Sequence, residues 1–484
     1  MAVVLACSLV ASSCSLLGSD DDENATSDNA NPTPTTVAPT TTTTIDVANP
    51  RAGGDGVGDP LFPGLGNTGY DVQHYDIAID LSGDEFRAEA NLELIADAPL
   101  TQFNLDLVGM VVDHVFVDGV EAVVERNGRE LIVSPAATVP AGPIISVKVE
   151  YRGTPEPIDD PAGPTPLGWR TEAWGTYVVS QPLGAATWFP ANDHPTDKAT
   201  FMFRVTVPEG QTAIGPGLLV SETTTATRTT YIWETTEPMA TNVASIVTGD
   251  FAVITSGNTE PVIRHALPTE RANQLLPALA STNEMLEAFE ELFGSYPFES
   301  YGVVAVPDDL AFALENQTLS LFDTEFLTLR RRTVENVLAH ELAHQWFGNN
   351  VSPATWADIW LSEGFATWAD HYWTELDGGE TFDERAAEAR SLNLRPPTDV
   401  RPSTMFDITV YRRGALTLEA LRREVGNDRF FDLLQAWTVT FGGGSASTND
   451  FLELVRSREG VQAEQLVESW LFDNTMPALP TTTP

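Results

Sequence analysis

The chain has 484 residues, of which 42 % are hydrophobic, so it is long enough for two or three domains with ordinary cores. Its 69 acidic and 26 basic residues give a formal net charge of −43. A surface of that charge repels nucleic acid and anionic lipid headgroups, and neither is expected as a partner. The acidity favours solubility; attraction of a cationic partner is the alternative interpretation.

The first fourteen residues, MAVVLACSLVASSC, are apolar and then small, which is typical of a targeting segment. The apolar run is too short to span a bilayer. It resembles the end of a bacterial lipoprotein signal with Cys14 as the lipidated residue, although a basic n-region is missing. We therefore expect an extracytoplasmic monomer that is lipid-anchored through Cys14; a secreted protein with a cleaved signal is the alternative.

Residues 15–60 are rich in Thr, Pro and Asp and poor in large apolar side chains, which predicts a disordered tether. Residues 61–254 alternate apolar and polar positions with a period of two, for example in YDIAIDL and ATFMFRVTVP. Gly, Pro and Asp separate these runs, and no helical pattern intervenes. This pattern predicts an N-terminal domain of antiparallel sheets, packed as a sandwich or saddle.

The pattern changes near residue 255, and apolar residues then recur every three or four positions. Residues 255–484 are predicted to be a mostly helical α+β domain with one short strand in YGVVAVP. Helices are predicted in the region of TERANQLLPALASTNEMLEAFEELFG and around 332–347, 359–376, 411–424, 447–457 and 462–473, with Thr448 as the cap of the helix at 447–457.

The stretch NVLAHELAHQWFGNN, residues 336–350, carries two histidines four positions apart. On a helix His340 and His344 stack one turn apart and can reach one metal ion, while Glu341 projects toward a metal-bound water. Glu363, nineteen residues after His344 in WLSEGFA, supplies a third ligand. Two His and one Glu leave one tetrahedral position open, as in catalytic zinc sites. The alternative is a helix with two buried polar side chains.

HELAHQWFGN and WLSEGFA resemble the M1 family of zinc aminopeptidases, with the HExxH-x18-Glu spacing of gluzincins. The resemblance covers roughly residues 65–480. It implies a β saddle domain followed by a thermolysin-like catalytic domain, one Zn²⁺ held by His340, His344 and Glu363, and Glu341 as the base. The implied reaction is hydrolysis of N-terminal residues from peptides. The chain ends soon after these helices, so the further helical domain of longer members is not expected and the site should be more open.

Two more family motifs can be placed residue by residue. The exopeptidase motif Gly-x-Met-Glu-Asn matches FALEN, residues 312–316, in which Ala313, Glu315 and Asn316 would contact the substrate. Phe312 and Leu314 depart from the motif. The resemblance implies that Glu315 pairs with the substrate α-ammonium. An ordinary carboxylate at a strand edge is the alternative.

The second motif is the catalytic tyrosine of the family. VYRRGAL supplies Tyr411 in a Tyr-x-x-Gly-Ala context, as the donor to the oxyanion. An ordinary amphipathic helix with a half-buried tyrosine is the alternative.

The β domain is expected to add Gln181 to the substrate site, from SQPLGAATWFPANDHP. Many family members place Glu or Gln two residues later, where this chain has Leu183, so one amine anchor is expected to be lost. Asp193 and His194 are interpreted as parts of a structural turn. The remaining histidines are assigned core or surface roles: His74, His114, His265 and His371.

Three alternative functions stay open. Leu183 and Phe312 favour a zinc endopeptidase with a relaxed requirement for a free N-terminus. Hydrolysis of another bond is possible in principle, since one branch of the family also opens an epoxide. The third alternative is a surface-tethered peptide-binding protein whose catalytic site has decayed.

Overall fold

The computed structural model describes residues 50–83, 85–256, 260–310 and 312–481. Cys14, the predicted signal segment and the tether up to residue 49 lie outside these ranges. No helix in the described ranges has both the length and the hydropathy that a membrane crossing requires.

The N-terminal region is built almost entirely of β-strands. In chain order they are β1 (Arg51–Ala52), β2 (Gly54–Asp55), β3 (Asn67–Thr68), β4 (Tyr70–Asp80), β5 (Phe86–Ala96), β6 (Leu100–Asp106), β7 (Val111–Val117), β8 (Val120–Glu121), β9 (Val123–Asn127), β10 (Glu130–Ser134), β11 (Ile144–Gly153), β12 (Gly168–Glu172), β13 (Gly175–Val179), β14 (Lys198–Pro208), β15 (Thr212–Ile214), β16 (Leu218–Thr224), β17 (Arg228–Glu234), β18 (Met239–Ala240) and β19 (Val247–Gly249).

A nine-stranded sheet forms the main layer of this region, in the order β16-β17-β14-β4-β5-β11-β7-β8, with β18 paired to β14. Two four-stranded sheets accompany it, β1-β6-β10-β9 and β12-β13-β19-β15. The predicted β domain is therefore confirmed. Its pairings are not all antiparallel, however, because β4 runs parallel to β14 and β1 runs parallel to β6.

The C-terminal region combines one sheet with a set of helices. Its strands are β20 (Phe251–Ser256), β21 (Val262–Pro268), β22 (Ser300–Tyr301), β23 (Val303–Val306), β24 (Ser320–Asp323), β25 (Ser352–Pro353) and β26 (Ser445–Ala446). Its helices are α1 (Ala272–Leu275), α2 (Thr282–Phe293), α3 (Arg331–Ala343), α4 (Trp360–Leu376), α5 (Phe382–Ser391), α6 (Ile408–Val425), α7 (Asn427–Phe441), α8 (Thr448–Glu459) and α9 (Val461–Phe472).

The sheet β20-β21-β23-β24 is the layer that joins the two regions, with β22 paired to β21. Successive residues of β23 point to opposite faces, as in any strand. Val303 and Ala305 pack into the helical core, whereas Val304 and Val306 pack into the core of the β domain. A strand that is buried on both faces has apolar residues at consecutive positions, as β23 has in VVAV. Residues at the edge of this sheet can therefore contact both domains.

Ordered elements lie at both predicted domain boundaries, which stay predictions. Residue 254 lies inside β20, which pairs with β21 of the C-terminal sheet. Asp59, just before the predicted boundary at 60, is buried and links the two domains. Its Oδ2 accepts a hydrogen bond from the backbone N–H of Trp356 at 2.7 Å and lies 3.3 Å from Nε2 of His194. The buried carboxylate of Asp59 thus fixes the position of the polar segment around it.

The helix predictions hold for α2, α3, α4, α6, α8 and α9, with ends that differ by a few residues. The predicted cap Thr448 is wrong: Ser447 is the N-cap of α8 and forms a capping box with Asp450. Helices α5 and α7 were not predicted. Helix α5 buries only Phe382, Ala386 and Ala389. Two of these three residues are alanines, so the apolar stripe of α5 is weak in the sequence.

Candidate metal and catalytic site

Helix α3 carries the two predicted histidine ligands and ends at them. His340 lies in its last turn and His344 is its C-cap residue, and both side chains are buried. Their rings are 4.7 Å apart between centroids, and their Nε2 atoms are separated by 3.1 Å. One turn of helix therefore brings the two imidazole nitrogens to a single point, as predicted.

Helix α4 brings Glu363 to the same point. Glu363 lies in the first turn of α4, next to Gly364. A Cβ atom on Gly364 would come within 3.0 Å of the backbone of Gly414 in α6, so the two helices meet here without intervening side chains. This close approach places Tyr411, one turn before Gly414, beside the carboxylate of Glu363.

Three potential ligand atoms form a compact triangle. Oε2 of Glu363 lies 3.4 Å from Nε2 of His340 and 3.3 Å from Nε2 of His344. Zn²⁺ bonds of 2.0–2.1 Å in a tetrahedron require ligand atoms about 3.3–3.4 Å apart. The three distances, 3.1, 3.3 and 3.4 Å, match that requirement. The residues present therefore fit a single zinc ion with one vertex left for water.

The outer ring nitrogens of the two histidines face hydrogen-bond acceptors, which fixes their tautomers. Nδ1 of His340 lies 3.0 Å from Oδ2 of Asp370, and Nδ1 of His344 lies 3.1 Å from the carbonyl oxygen of Phe347. In each neutral ring the proton therefore belongs on Nδ1, and the lone pair of Nε2 points into the triangle. Asp370 was not predicted from the sequence; the signal that could have indicated it is its position seven residues after Glu363, on the same face of α4.

The charges at the site favour a bound cation. Burial raises the pKa of Glu363, but the two histidines outweigh burial and lower it to about 2. Burial lowers the pKa of His340, but Asp370 and Glu363 outweigh burial and raise it to about 9. Without a metal ion the site therefore takes up a proton in its place.

Glu341 and Glu315 lie beside this triangle. Each offers a carboxylate oxygen within 4.8 Å of the other and of a ring nitrogen of His344. Both oxygens of Glu341 are buried and have no hydrogen-bond partner among the described residues. Burial raises the pKa of Glu341 well above its ordinary value; His344 opposes the rise, and the carboxylates of Glu315 and Glu363 add to it. A carboxylate with a high proton affinity is suited to accept a proton from water.

Tyr411 completes the predicted catalytic set. Its ring stacks on His340 with centroids 6.1 Å apart. Burial raises the pKa of its hydroxyl well above 10, and the carboxylates of Glu363, Glu315 and Glu341 raise it further. The hydroxyl thus keeps its proton and can act as a hydrogen-bond donor.

Three of the predicted substrate-binding residues, Ala313, Glu315 and Asn316, lie along the edge of the joining sheet, and Gln181 follows β13 in the β domain. Leu314 bridges to Leu321 of β24, which places the 312–316 stretch beside the edge strand. The side-chain amide of Asn316 and Oε1 of Gln181 are buried without a partner among the described residues. Ala313 is buried in the same stretch. The roles of these residues in substrate binding stay predictions.

Leu183, in place of the second amine anchor, packs partly buried against both cores. Phe312 is buried in the core of the β domain. The side chain at residue 312 therefore fills core space.

Asp193 and His194 have structural partners, in agreement with their interpretation as a turn. Asp193 pairs with Arg129 at 3.0 Å and accepts a hydrogen bond from Thr241. His194 contacts Asp59, as described above.

The other four histidines lie outside the metal triangle. His114 pairs with Glu121 at the surface, and His74 contacts Thr200. Nδ1 of His265 accepts a hydrogen bond from the backbone N–H of Val303. His371 is buried beside Asp370, with 3.7 Å between the two polar side-chain atoms.

Comparison with known proteins gives the same two-part division. The model of the peptidase M1 N-terminal domain matches residues 71–243, and that of the peptidase family M1 domain matches residues 277–470. The crystal structure of an M1 zinc metallopeptidase from Deinococcus radiodurans is 34 % identical, with a TM-score of 0.82. The alignment covers 89 % of this chain and 99 % of that one. A mutant of that metallopeptidase was solved with a Tyr-Ser-Ala substrate.

Curated relatives are longer. Aminopeptidase M1-A of Oryza sativa is 28 % identical over 323 residues, 62 % of this chain and 37 % of the relative. Probable aminopeptidase 1 of Sulfurisphaera tokodaii is 25 % identical over 440 residues, 85 % of this chain and 54 % of the relative. The chain thus spans between about a third and about a half of the length of these relatives.

The raised pKa of His340 predicts how the effect of zinc on stability depends on pH. Its proton stabilises the metal-free fold fully below the ordinary value of 6.5, and that stabilisation is lost as the pH rises through about 9. Zinc has to displace this proton, so its apparent affinity should rise over the same interval. We expect the Tm difference between zinc-saturated and chelator-treated protein, measured by calorimetry, to widen from pH 6.5 to pH 9.

The variant Asp370→Asn provides the control for this measurement. It removes one of the two carboxylates that raise the pKa of His340 and should move the interval to lower pH. A Tm difference that stays constant between pH 6.5 and pH 9 would contradict the assignment.

Proposed function

The chain belongs to peptidase family M1, and from that premise we propose that it is a zinc-dependent aminopeptidase that releases N-terminal residues from peptides. The proposal rests on the convergence of His340, His344 and Glu363 at distances of 3.1–3.4 Å, which suits one Zn²⁺. The buried carboxylates of Glu315 and Glu341 lie beside this triangle.

Each residue around the triangle has a separate role in hydrolysis. Zinc, when bound, acidifies a water molecule and polarises the scissile carbonyl. Glu341 accepts the proton of the attacking water on a carboxylate oxygen and later delivers it to the leaving amine. The hydroxyl of Tyr411 donates a hydrogen bond to the oxyanion that develops on the substrate carbonyl. Asp370 and the carbonyl oxygen of Phe347 hold the two imidazoles in the required tautomer.

Recognition of a free N-terminus follows from the position of Glu315. Its Oε2 is buried and has no hydrogen-bond partner among the described residues. An α-ammonium group is a donor that suits this carboxylate, and a charge-assisted hydrogen bond here would place the first peptide bond at the zinc triangle. Because the first peptide bond lies at the zinc triangle, one residue is released at a time.

A zinc endopeptidase is the second candidate, because Leu183 replaces a polar amine anchor with an apolar side chain. Of the predicted substrate-binding residues, Glu315 is then the charged one that can distinguish a free N-terminus from a blocked one. The third alternative, a decayed peptide-binding protein, is disfavoured because Glu341 and Tyr411 accompany a complete ligand set.

One assay separates the three functions. Purified protein is incubated with a short peptide that has a free N-terminus and with its N-acetylated form, each with and without a zinc chelator. The proposal predicts that the free peptide loses its first residue, that the acetylated peptide is cut much more slowly, and that the chelator stops both reactions. Equal rates would identify an endopeptidase, and no cleavage by zinc-loaded protein would support the decayed site.

The role of Glu341 predicts the behaviour of Glu341→Gln. The variant should bind zinc with normal stoichiometry, because Glu341 is not in the ligand triangle, but kcat should fall by about two to four orders of magnitude. Glu335→Gln is the matched control: Glu335 is buried in the same helix but pairs with Arg331. Turnover by Glu341→Gln at the rate of the control would refute the assigned role.

We also propose an extracytoplasmic location, with the protein held at a bacterial cell membrane by a lipid on Cys14. The support is the apolar and then small segment before Cys14, followed by the Thr/Pro/Asp-rich tract. Secretion with a cleaved signal remains the alternative. In cells fed labelled palmitate, Cys14→Ser should lose the label, whereas Cys7→Ser should keep it. Label on the Cys14→Ser protein would exclude this anchor.

A further inference from the structure

A tight turn follows the amine anchor Glu315 and reverses the chain into β24. This turn, residues 316–319, is buried. Thr318 has a φ of 64°, in the left-handed region that β-branched residues rarely occupy. Such a conformation persists only where the surroundings hold it in place, and such residues cluster at functional sites. The neighbours of the turn therefore determine where the backbone of Glu315 lies.

Two side chains just after the metal-binding helix hold the turn from one side. Nδ2 of Asn349 donates a hydrogen bond of 2.7 Å to the carbonyl oxygen of Glu315. The backbone N–H of Asn349 donates to the carbonyl oxygen of the zinc ligand His344 at 3.0 Å. Asn349 therefore links the peptide unit of the amine anchor directly to the peptide unit of a metal ligand.

Gln345, the residue after His344, makes a second link. Its Oε1 accepts a hydrogen bond of 2.9 Å from the backbone N–H of Thr318, the strained residue of the turn. Its Nε2 lies 3.5 Å from the carbonyl oxygens of both Glu315 and Asn316. Gln345 and Asn349 are fully buried, so water does not compete for these contacts.

The β domain holds the same assembly from the other side. The backbone N–H of Gly217 donates to Oγ1 of Thr318 at 2.8 Å, and the N–H of Gln317 donates to the carbonyl oxygen of Val243 at 3.1 Å. Nζ of Lys198 donates to the carbonyl oxygens of Asn349 and Asn350 at 2.7 and 2.8 Å. The position of Asn349 is thus fixed by both domains.

We propose that Asn349, supported by Gln345, is a positioning residue that sets the distance between the amine anchor Glu315 and the zinc ligands. This inference rests on the proposed aminopeptidase function. The carboxylate of Glu315 can recognise an α-ammonium group only if it stays one residue away from the scissile bond. Because Leu183 offers no polar side chain as a second anchor, selectivity for a free N-terminus depends on how firmly Glu315 is held.

The test is the variant Asn349→Leu, which keeps the number and branching of the side-chain heavy atoms and removes the donor. Hydrolysis of a free and an N-acetylated peptide is measured in parallel for each protein, together with zinc content. We expect kcat/KM for the free peptide to fall about tenfold or more, mainly through KM, because a charged hydrogen bond is weakened. The acetylated peptide never uses Glu315, so its kcat/KM should stay within about twofold of wild type.

Two further variants guard against a general effect on folding. Asn349→Asp keeps the shape of the side chain but has no N–H to donate, so it should lose selectivity in the same way. Thr438→Val removes another buried hydrogen bond to a backbone carbonyl, that of Phe293, and should leave the ratio of the two rates unchanged. Deuterium uptake at residues 314–319 should rise in both Asn349 variants and stay normal in Thr438→Val.

The outcomes separate this inference from the function on which it rests. If the wild-type protein cuts the free and acetylated peptides equally, the proposed aminopeptidase function is overturned and the inference with it. If the wild type discriminates and both Asn349 variants keep the same ratio with normal zinc content, only the positioning role is overturned. An equal loss for both peptides would likewise reject it, because that result indicates a structural role alone.

Discussion

Two imidazole nitrogens that face each other at 3.1 Å, with a carboxylate oxygen 3.3–3.4 Å from both, constrain everything else in this structure. Two neutral nitrogen lone pairs at that distance repel each other unless a proton or a metal cation lies between them. The hydrogen bonds to Asp370 and to the carbonyl oxygen of Phe347 aim both lone pairs inward. These buried polar groups together favour one positive charge at the centre of the triangle.

The fold brings three elements together at the metal triangle: α3, α4 and the edge of the joining sheet. Helix α3 supplies both histidines, and α4 supplies Glu363 because Gly364 and Gly414 allow α4 and α6 to touch. The edge of the joining sheet supplies Glu315. Hydrogen bonds from both domains hold Glu315, the proposed amine anchor, and the turn that follows it. This arrangement explains why a catalytic centre on helices also needs the β domain.

The two histidines of the metal site were predictable from the sequence because their four-residue spacing follows from one turn of helix. Glu363 lies on another helix and was predicted from its spacing and its glycine neighbour, although a tertiary contact, that of Gly364 with Gly414, positions it. The β domain was also predictable, because its strands alternate with a period of two over long runs. Such features need no knowledge of tertiary contacts.

What the sequence could not show depends on contacts between distant segments. Asp59 lies in a stretch whose composition suggests disorder, and its role depends on contacts with His194 and with Trp356, 297 residues away. The sequence of neither strand has a pattern that indicates the parallel pairing of β4 with β14. Asn349 is an ordinary polar residue in the sequence, and its meaning appears only when the carbonyl oxygen of Glu315 is seen 2.7 Å away.

X-ray absorption at the zinc edge of the purified protein is the most direct test of the metal site, because it reports the atoms bound to the metal whether or not a substrate is known. We expect one zinc ion per chain with about four nitrogen or oxygen neighbours near 2.0–2.1 Å and scattering from two imidazole rings. A shell of oxygen atoms without imidazole scattering, or protein that binds no zinc, would contradict this expectation.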